Sequence, residues 1–176
     1  DLQMIPFDVD EVYKTGGTSD ANLMGWGTKV LANGHSAFLA ADLMSTEFDW
    51  ETPNGFEDHI AAEVGEVDML KAGHHGAESS NSVPFMAALH PGAIIQTGAA
   101  SHSPDRLSFL VLHGDTKWFP MGNIWESLNV PALVCVFADD EIQYDGVAHA
   151  QWGHEYESET PRAWWFRAGR PAATTG

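Results

Sequence analysis

Two histidines stand side by side in "VDMLKAGHHGAESSNS", where His74 and His75 follow a short apolar run and precede a glycine and several small hydroxylated residues. Imidazole is the commonest metal ligand and a general acid or base near neutral pH. Asp42, in "FLAADL", closes an earlier apolar run in the same way. A carboxylate at one strand end and an imidazole at another can hold a divalent cation, Zn²⁺ first and Mn²⁺ second. The two oxygens of Asp42 could also bridge a pair of ions that activates water for attack on phosphorus or an acyl carbon. Two ligands do not complete such a site, because a catalytic zinc takes about three from the protein. The competing reading of His74 and His75 is a pair of imidazoles capping a turn.

The other histidines are weaker candidates. His102, in "GAASHSPDR", follows the run "AIIQTG" and so can face the same crevice as Asp42 and His75. His35 follows an Asn-Gly pair and is expected to be exposed. His59 sits among helix-spaced apolar residues, and His90 ends a helix where a cation suits the dipole. His113 stands near Asp115 in "LHGDT", while His149 and His154 have no ligand spacing.

The elements that must carry these residues are legible from pattern. "TKVLANGHSAFLAADL" reads as a hairpin turning at Asn33-Gly34, with strands to Ala32 and from His35 to Ala41. Phe56, Ile60, Ala61 and Val64 share one helical face. "VDMLKAG" is a short strand leading into the histidines. Ser82 is a good N-cap for "VPFMAALH", with Pro84 tolerated in the first turn. Gly92–Gly98 reads as another buried strand, Pro104 to about Gly114 as a helix, "NIWESLN" as a short helix, and Ala132–Tyr144 as a closing hairpin. Alternating strands and helices predict an α/β layered fold, whose sites form where loops converge at strand ends.

Composition narrows the partners. The chain has 176 residues, 44% of them apolar, which is enough for one packed domain. Its formal charge of −17, from 25 acidic and 8 basic residues, argues against nucleic acid and anionic membranes as partners. Of the cations, Lys71, Lys117 and Arg106 fall near the expected strand ends. The single cysteine, Cys135, excludes an internal disulfide framework and is expected to be a small buried residue. No apolar stretch is long enough to span a membrane. A start at Asp1 suits a processed, secreted product or a fragment, and the compartment is otherwise open.

Taken in order, "FLAADL", "VDMLKAGHHGAESSNSVPFMAALHPGAIIQTG" and "VFADDEIQYDG" resemble the second half of metallo-β-lactamase-fold hydrolases. The closest types are the nuclease-like domain of bacterial competence proteins and the phosphorylcholine esterases. The resemblance covers roughly Trp26 to Gly146, with Ala77 and Gln96 standing where the family has serines. It implies an αββα sandwich of which this chain holds the C-terminal half, a mixed sheet with flanking helices over 1–150. A Trp-rich tail, 151–176, is expected to pack on it.

The resemblance also implies roles. Asp42 matches the metal-bridging aspartate, although Ala41 stands where glycine is usual. His75 matches a ligand of the second metal, and His102 lies near the family's His-Pro position. His74 is implied as the catalytic, substrate-facing histidine, able to donate a proton to a leaving group, and Ser79 and Ser80 as hydroxyl donors to an anionic group. The activity implied is hydrolysis of a small anionic phosphoester or other ester. The family's first metal motif, His-x-His-x-Asp-His, does not occur in the chain. A second chain carrying the first half, or a homodimer mate, is therefore expected. The alternative is a degenerate half that binds without hydrolysing.

Overall fold

The computed structural model describes residues 1–7, 22, 25–46, 54–77, 79–98, 116–121 and 133–145. Six strands form one mixed sheet in the order β1-β2-β3-β4-β5-β6. These are β1 (Leu2–Pro6), β2 (Trp26–Ala32), β3 (His35–Leu39), β4 (Met69–Lys71), β5 (Ala93–Gln96) and β6 (Lys117–Pro120). β1 and β2 pair antiparallel, as do β2 and β3; β3 to β6 run parallel. Helices α1 (Phe56–Val64) and α2 (Val83–Leu89) lie in the crossovers from β3 to β4 and from β4 to β5. A separate hairpin joins β7 (Val134–Phe137) to β8 (Ile142–Asp145).

Most of the expected elements are present. The Asn33-Gly34 turn joins β2 to β3, although β3 stops at Leu39 rather than Ala41. The chain leaves the sheet there after one last bond, from the Ala40 N–H to the Lys71 carbonyl. All four apolar positions read onto α1 are buried. Ser82 caps α2 by accepting from the Phe85 N–H, with Pro84 in the first turn. Strands β1 and β6 were not anticipated. The expected helices at 104–114 and in "NIWESLN", and the tail 151–176, lie outside the described residues.

Register divides the apolar residues between two faces. Phe38, Leu70, Ile94 and Trp118 are in register on one face and pack under α1 and α2 with Phe56, Ile60, Phe85, Met86 and Leu89. The other face carries Ala37, Met69, Ala93 and Phe119, which pack with Ile142, Cys135, Phe137 and Tyr144 of the hairpin. The hairpin does not reach the β1–β2 edge of that face, where Leu2, Met4 and Trp26 are 71%, 57% and 54% exposed. Cys135 is half-buried, and burial raises its thiol pKa. His35 corrects the expectation of exposure: its side chain is only 17% exposed, 3.8 Å from the Asp68 carboxylate. The turn before it lies beside the β7–β8 hairpin, since the Asn33 side chain donates to the carbonyl of Phe137 in β7. Among the described residues, no helix is long and apolar enough to cross a membrane.

Candidate functional site

The parallel pairing of β3, β4 and β5 brings their C-terminal ends together, and the candidate residues follow directly. Asp42 lies just beyond β3, His74 and His75 just beyond β4, and Thr97 just beyond β5. The Asp42 Oδ1 and His75 Nε2 atoms are 3.5 Å apart, and both side chains are partly open to solvent. His75 Nδ1 makes a 2.9 Å hydrogen bond with Thr97 Oγ1. In the tautomer that donates this bond, Nε2 is left with its lone pair beside Asp42.

Two backbone bonds fix the loops against one another, and a third closes the histidine turn on itself. The His74 N–H donates to the Ala41 carbonyl at 3.0 Å, the Gly98 N–H to the His75 carbonyl at 2.8 Å, and the Ala77 N–H to the His74 carbonyl at 2.9 Å. Lys71 Nζ also donates to the Ala41 carbonyl, at 2.9 Å. Burial lowers the pKa of Lys71, while the negative charge of Asp42 opposes that shift.

This geometry demands unusual backbone. Ala41, His74 and His75 have φ of 45°, 43° and 58°, the left-handed region that L side chains avoid. Glycine would adopt the Ala41 conformation at lower cost than alanine does. Close approach requires the two glycines that flank the histidines. A Cβ on Gly73 would lie 2.6 Å from the Leu43 carbonyl oxygen, and one on Gly76 2.6 Å from the buried Gln96 side chain. "GHHG" is thus two imidazoles between two points of tight contact.

Beneath the loop is a buried polar clamp. Asn81 Oδ1 accepts from the Gly73 N–H at 2.8 Å, and its Nδ2 donates back to the Gly73 carbonyl at 3.1 Å. The carboxylate of Glu57, on α1, accepts from the backbone N–H groups of Asn81 and Ser82. Asn81, Glu57 and Gly73 are nearly or wholly out of water, so each would be expensive to leave unpaired, while Ser82 is partly buried. Ser80 belongs to this clamp, since its hydroxyl donates to the Gly73 or Ala77 carbonyl. Ser79 Oγ is 3.1 Å from His74 Nδ1, which leaves Nε2 as the ring nitrogen available to a substrate. Both serines are fully buried, so they act on the loop and on His74 rather than on an outside anion.

Asp42, His74, His75, Ser79 and Ser80 therefore meet at one end of the sheet, and His102 lies outside the described residues. Thr97, Asn81 and Glu57 were not read as site residues. Thr97 had a usable signal, a hydroxyl one residue past a strand aligned with β4. Glu57 had none, because its partners lie 24 and 25 residues away.

The donor pair can be tested against a metal. Ligands at about 2.1 Å in tetrahedral array around zinc stand roughly 3.4 Å from one another. The 3.5 Å between Asp42 and His75 matches that edge and is long for a charge-assisted hydrogen bond. A ligating histidine usually has its other nitrogen hydrogen-bonded, as Thr97 does for His75. The pair fits one side of a metal site. Among the described residues, no group of three His, Cys, Asp or Glu side chains assembles as a complete one.

Comparison with protein families and with curated proteins finds no match for the chain.

Proposed function

We propose that this chain supplies one side of the active site of a metal-dependent hydrolase acting on a small phosphoester or related ester. The observation that carries the reading is the Asp42–His75 pair, spaced at 3.5 Å and held by Thr97 at the ends of adjacent parallel strands. Asp42 and His75 would be ligands, for zinc in preference to manganese, and His102 is the candidate for a further position. A divalent ion bound there would activate water for attack on the ester. His74, anchored through Nδ1 on Ser79, donates a proton from Nε2 to the leaving oxygen. The "GHHG" order, the flanking strands and the helix after Ser82 support the C-terminal half of a metallo-β-lactamase-like αββα sandwich as the finer fold. The exposed Leu2, Met4 and Trp26 suit burial against a first half on a second chain, or against a homodimer mate. A charge of −17 favours a small anionic substrate over nucleic acid.

A second reading has its own support. No His-x-His-x-Asp-His motif occurs in the chain, and a degenerate half could bind a ligand without cleaving it. Protein purified natively, with any companion polypeptide retained, is assayed with Zn²⁺ or Mn²⁺ on bis(p-nitrophenyl) phosphate and p-nitrophenyl acetate. The hydrolase reading expects metal-dependent turnover, abolished by Asp42→Ala or His75→Ala and lowered about 100-fold by His74→Ala. Metal-loaded protein that cleaves neither ester would leave the binding reading.

A further inference from the structure

The carbonyl of Ala41 is gripped from two directions. Lys71 Nζ donates to it at 2.9 Å and the His74 backbone N–H at 3.0 Å. Ala41 has φ of 45°, so the turn it makes into Asp42 is disfavoured by its own local energetics and must be held from outside. One holding group is the loop that carries His75. The other is the end of a side chain that begins within the sheet.

Lys71 is an odd residue for its position. It is the last residue of β4, in register with Leu39 on one side and Ile95 on the other. An apolar side chain would suit these neighbours better than an ammonium drawn partly out of water. What the ammonium reaches from there is the Ala41 carbonyl. The Lys71 main-chain carbonyl accepts from the Ala40 N–H, so one residue holds both sides of the peptide run that leads to Asp42.

We propose that Lys71 is a positioning residue, whose ammonium locks the Ala41–Asp42 turn and so sets the Asp42 carboxylate against His75. The lock stands on backbone geometry, and only its consequence for metal binding rests on the proposed hydrolase reading. Two measurements keep these apart.

The first is amide hydrogen exchange by NMR on the EDTA-treated full chain, comparing wild type with Lys71→Met and Lys71→Arg. Loss of one hydrogen bond at the hub should speed exchange at the His74 amide about five-fold. The Leu70 and Ile94 amides, in the sheet below, should keep their wild-type rates. Arginine retains donors of similar reach and should restore His74 protection. If Lys71→Met does not fold, Lys71→Gln, too short to reach Ala41, takes its place. The second is Zn²⁺ affinity by competition with a chelating dye, expected to fall about ten-fold in the methionine variant and to recover with arginine.

An unchanged His74 amide in the methionine variant overturns the proposal, and so does a rise shared equally by Leu70 and Ile94. Selective loss of His74 protection in the methionine variant, together with a wild-type chain that binds no zinc, supports the lock and removes the metal reading instead.

Discussion

Two turns of this molecule share a backbone conformation and differ in what occupies it. Asn33 and Gly34, between β2 and β3, have φ of 51° and 80°. His74 and His75, beyond β4, have φ of 43° and 58°. Asn and Gly enter the left-handed region at little cost, whereas other L residues lose about 1–2 kcal/mol each. Asn33-Gly34 is occupied by residues that suit the turn. At His74-His75 the turn is imposed on residues that do not favour it. The difference in support follows: the hairpin turn has its two strands and one bond from Asn33 to the Phe137 carbonyl, while the histidine turn is clasped by Ala41, Gly98, Asn81, Ser79 and Thr97. Mismatch between residue and conformation, held by so many contacts, makes the histidine turn the place to test for a role of its side chains.

Substitutions can break or sharpen that contrast. The largest effect is expected from Gly73→Ala, whose Cβ meets the Leu43 carbonyl at 2.6 Å and cannot be relieved by a side-chain movement. Denaturant unfolding should register a loss of about 3 kcal/mol. A variant as stable as wild type would show that the loop is looser than its contacts indicate. Next is Asn81→Ala, which strands the buried N–H of Gly73 and should cost about 2 kcal/mol. The companion substitution in the hairpin turn, Asn33→Ala, should cost about 1 kcal/mol, because it moves alanine into a conformation that asparagine tolerates and removes an exposed bond to the Phe137 carbonyl.

Ala41→Gly runs the other way. Relieving a left-handed alanine should raise stability by about 0.5 kcal/mol, the small remainder after glycine's greater unfolded-state freedom is subtracted. A clear loss of stability would contradict strain at that turn.

The smallest effect lies at the hairpin, away from both turns. Burial raises the Tyr144 pKa well above its ordinary value of about 10. Above that pH the unfolded chain releases a proton that the folded chain retains, so stability declines as pH rises and is fully present below it. Tyr144→Phe should flatten this alkaline decline in a pH series of thermal melts and leave stability at neutral pH little changed.

Local signals made much of this fold readable and left its supports hidden. Asn33-Gly34, the Phe56/Ile60/Val64 stripe and the Ser82 cap each declare an element within a few residues. β1 gave no such sign: Leu2–Pro6 is short, ends in proline and pairs with residues twenty or more positions away. Asp42 and His75 were legible because both stand at the ends of apolar runs, and parallel pairing brings such ends together. Their distance and the Thr97 contact depend on the register of β3, β4 and β5, which periodicity does not encode. The Glu57 clamp was invisible for a related reason. Its partners are backbone N–H groups on a distant loop, and main-chain groups carry no sequence signature.

The central claim is that Asp42 and His75 share a metal ion. The most direct test is elemental analysis of natively purified protein, comparing metal per chain in wild type, Asp42→Ala and His75→Ala. The claim predicts about one or more Zn or Mn per chain in wild type and a loss in both variants, with folding intact by circular dichroism. Metal-free wild type, or metal retained equally by both variants, would contradict it.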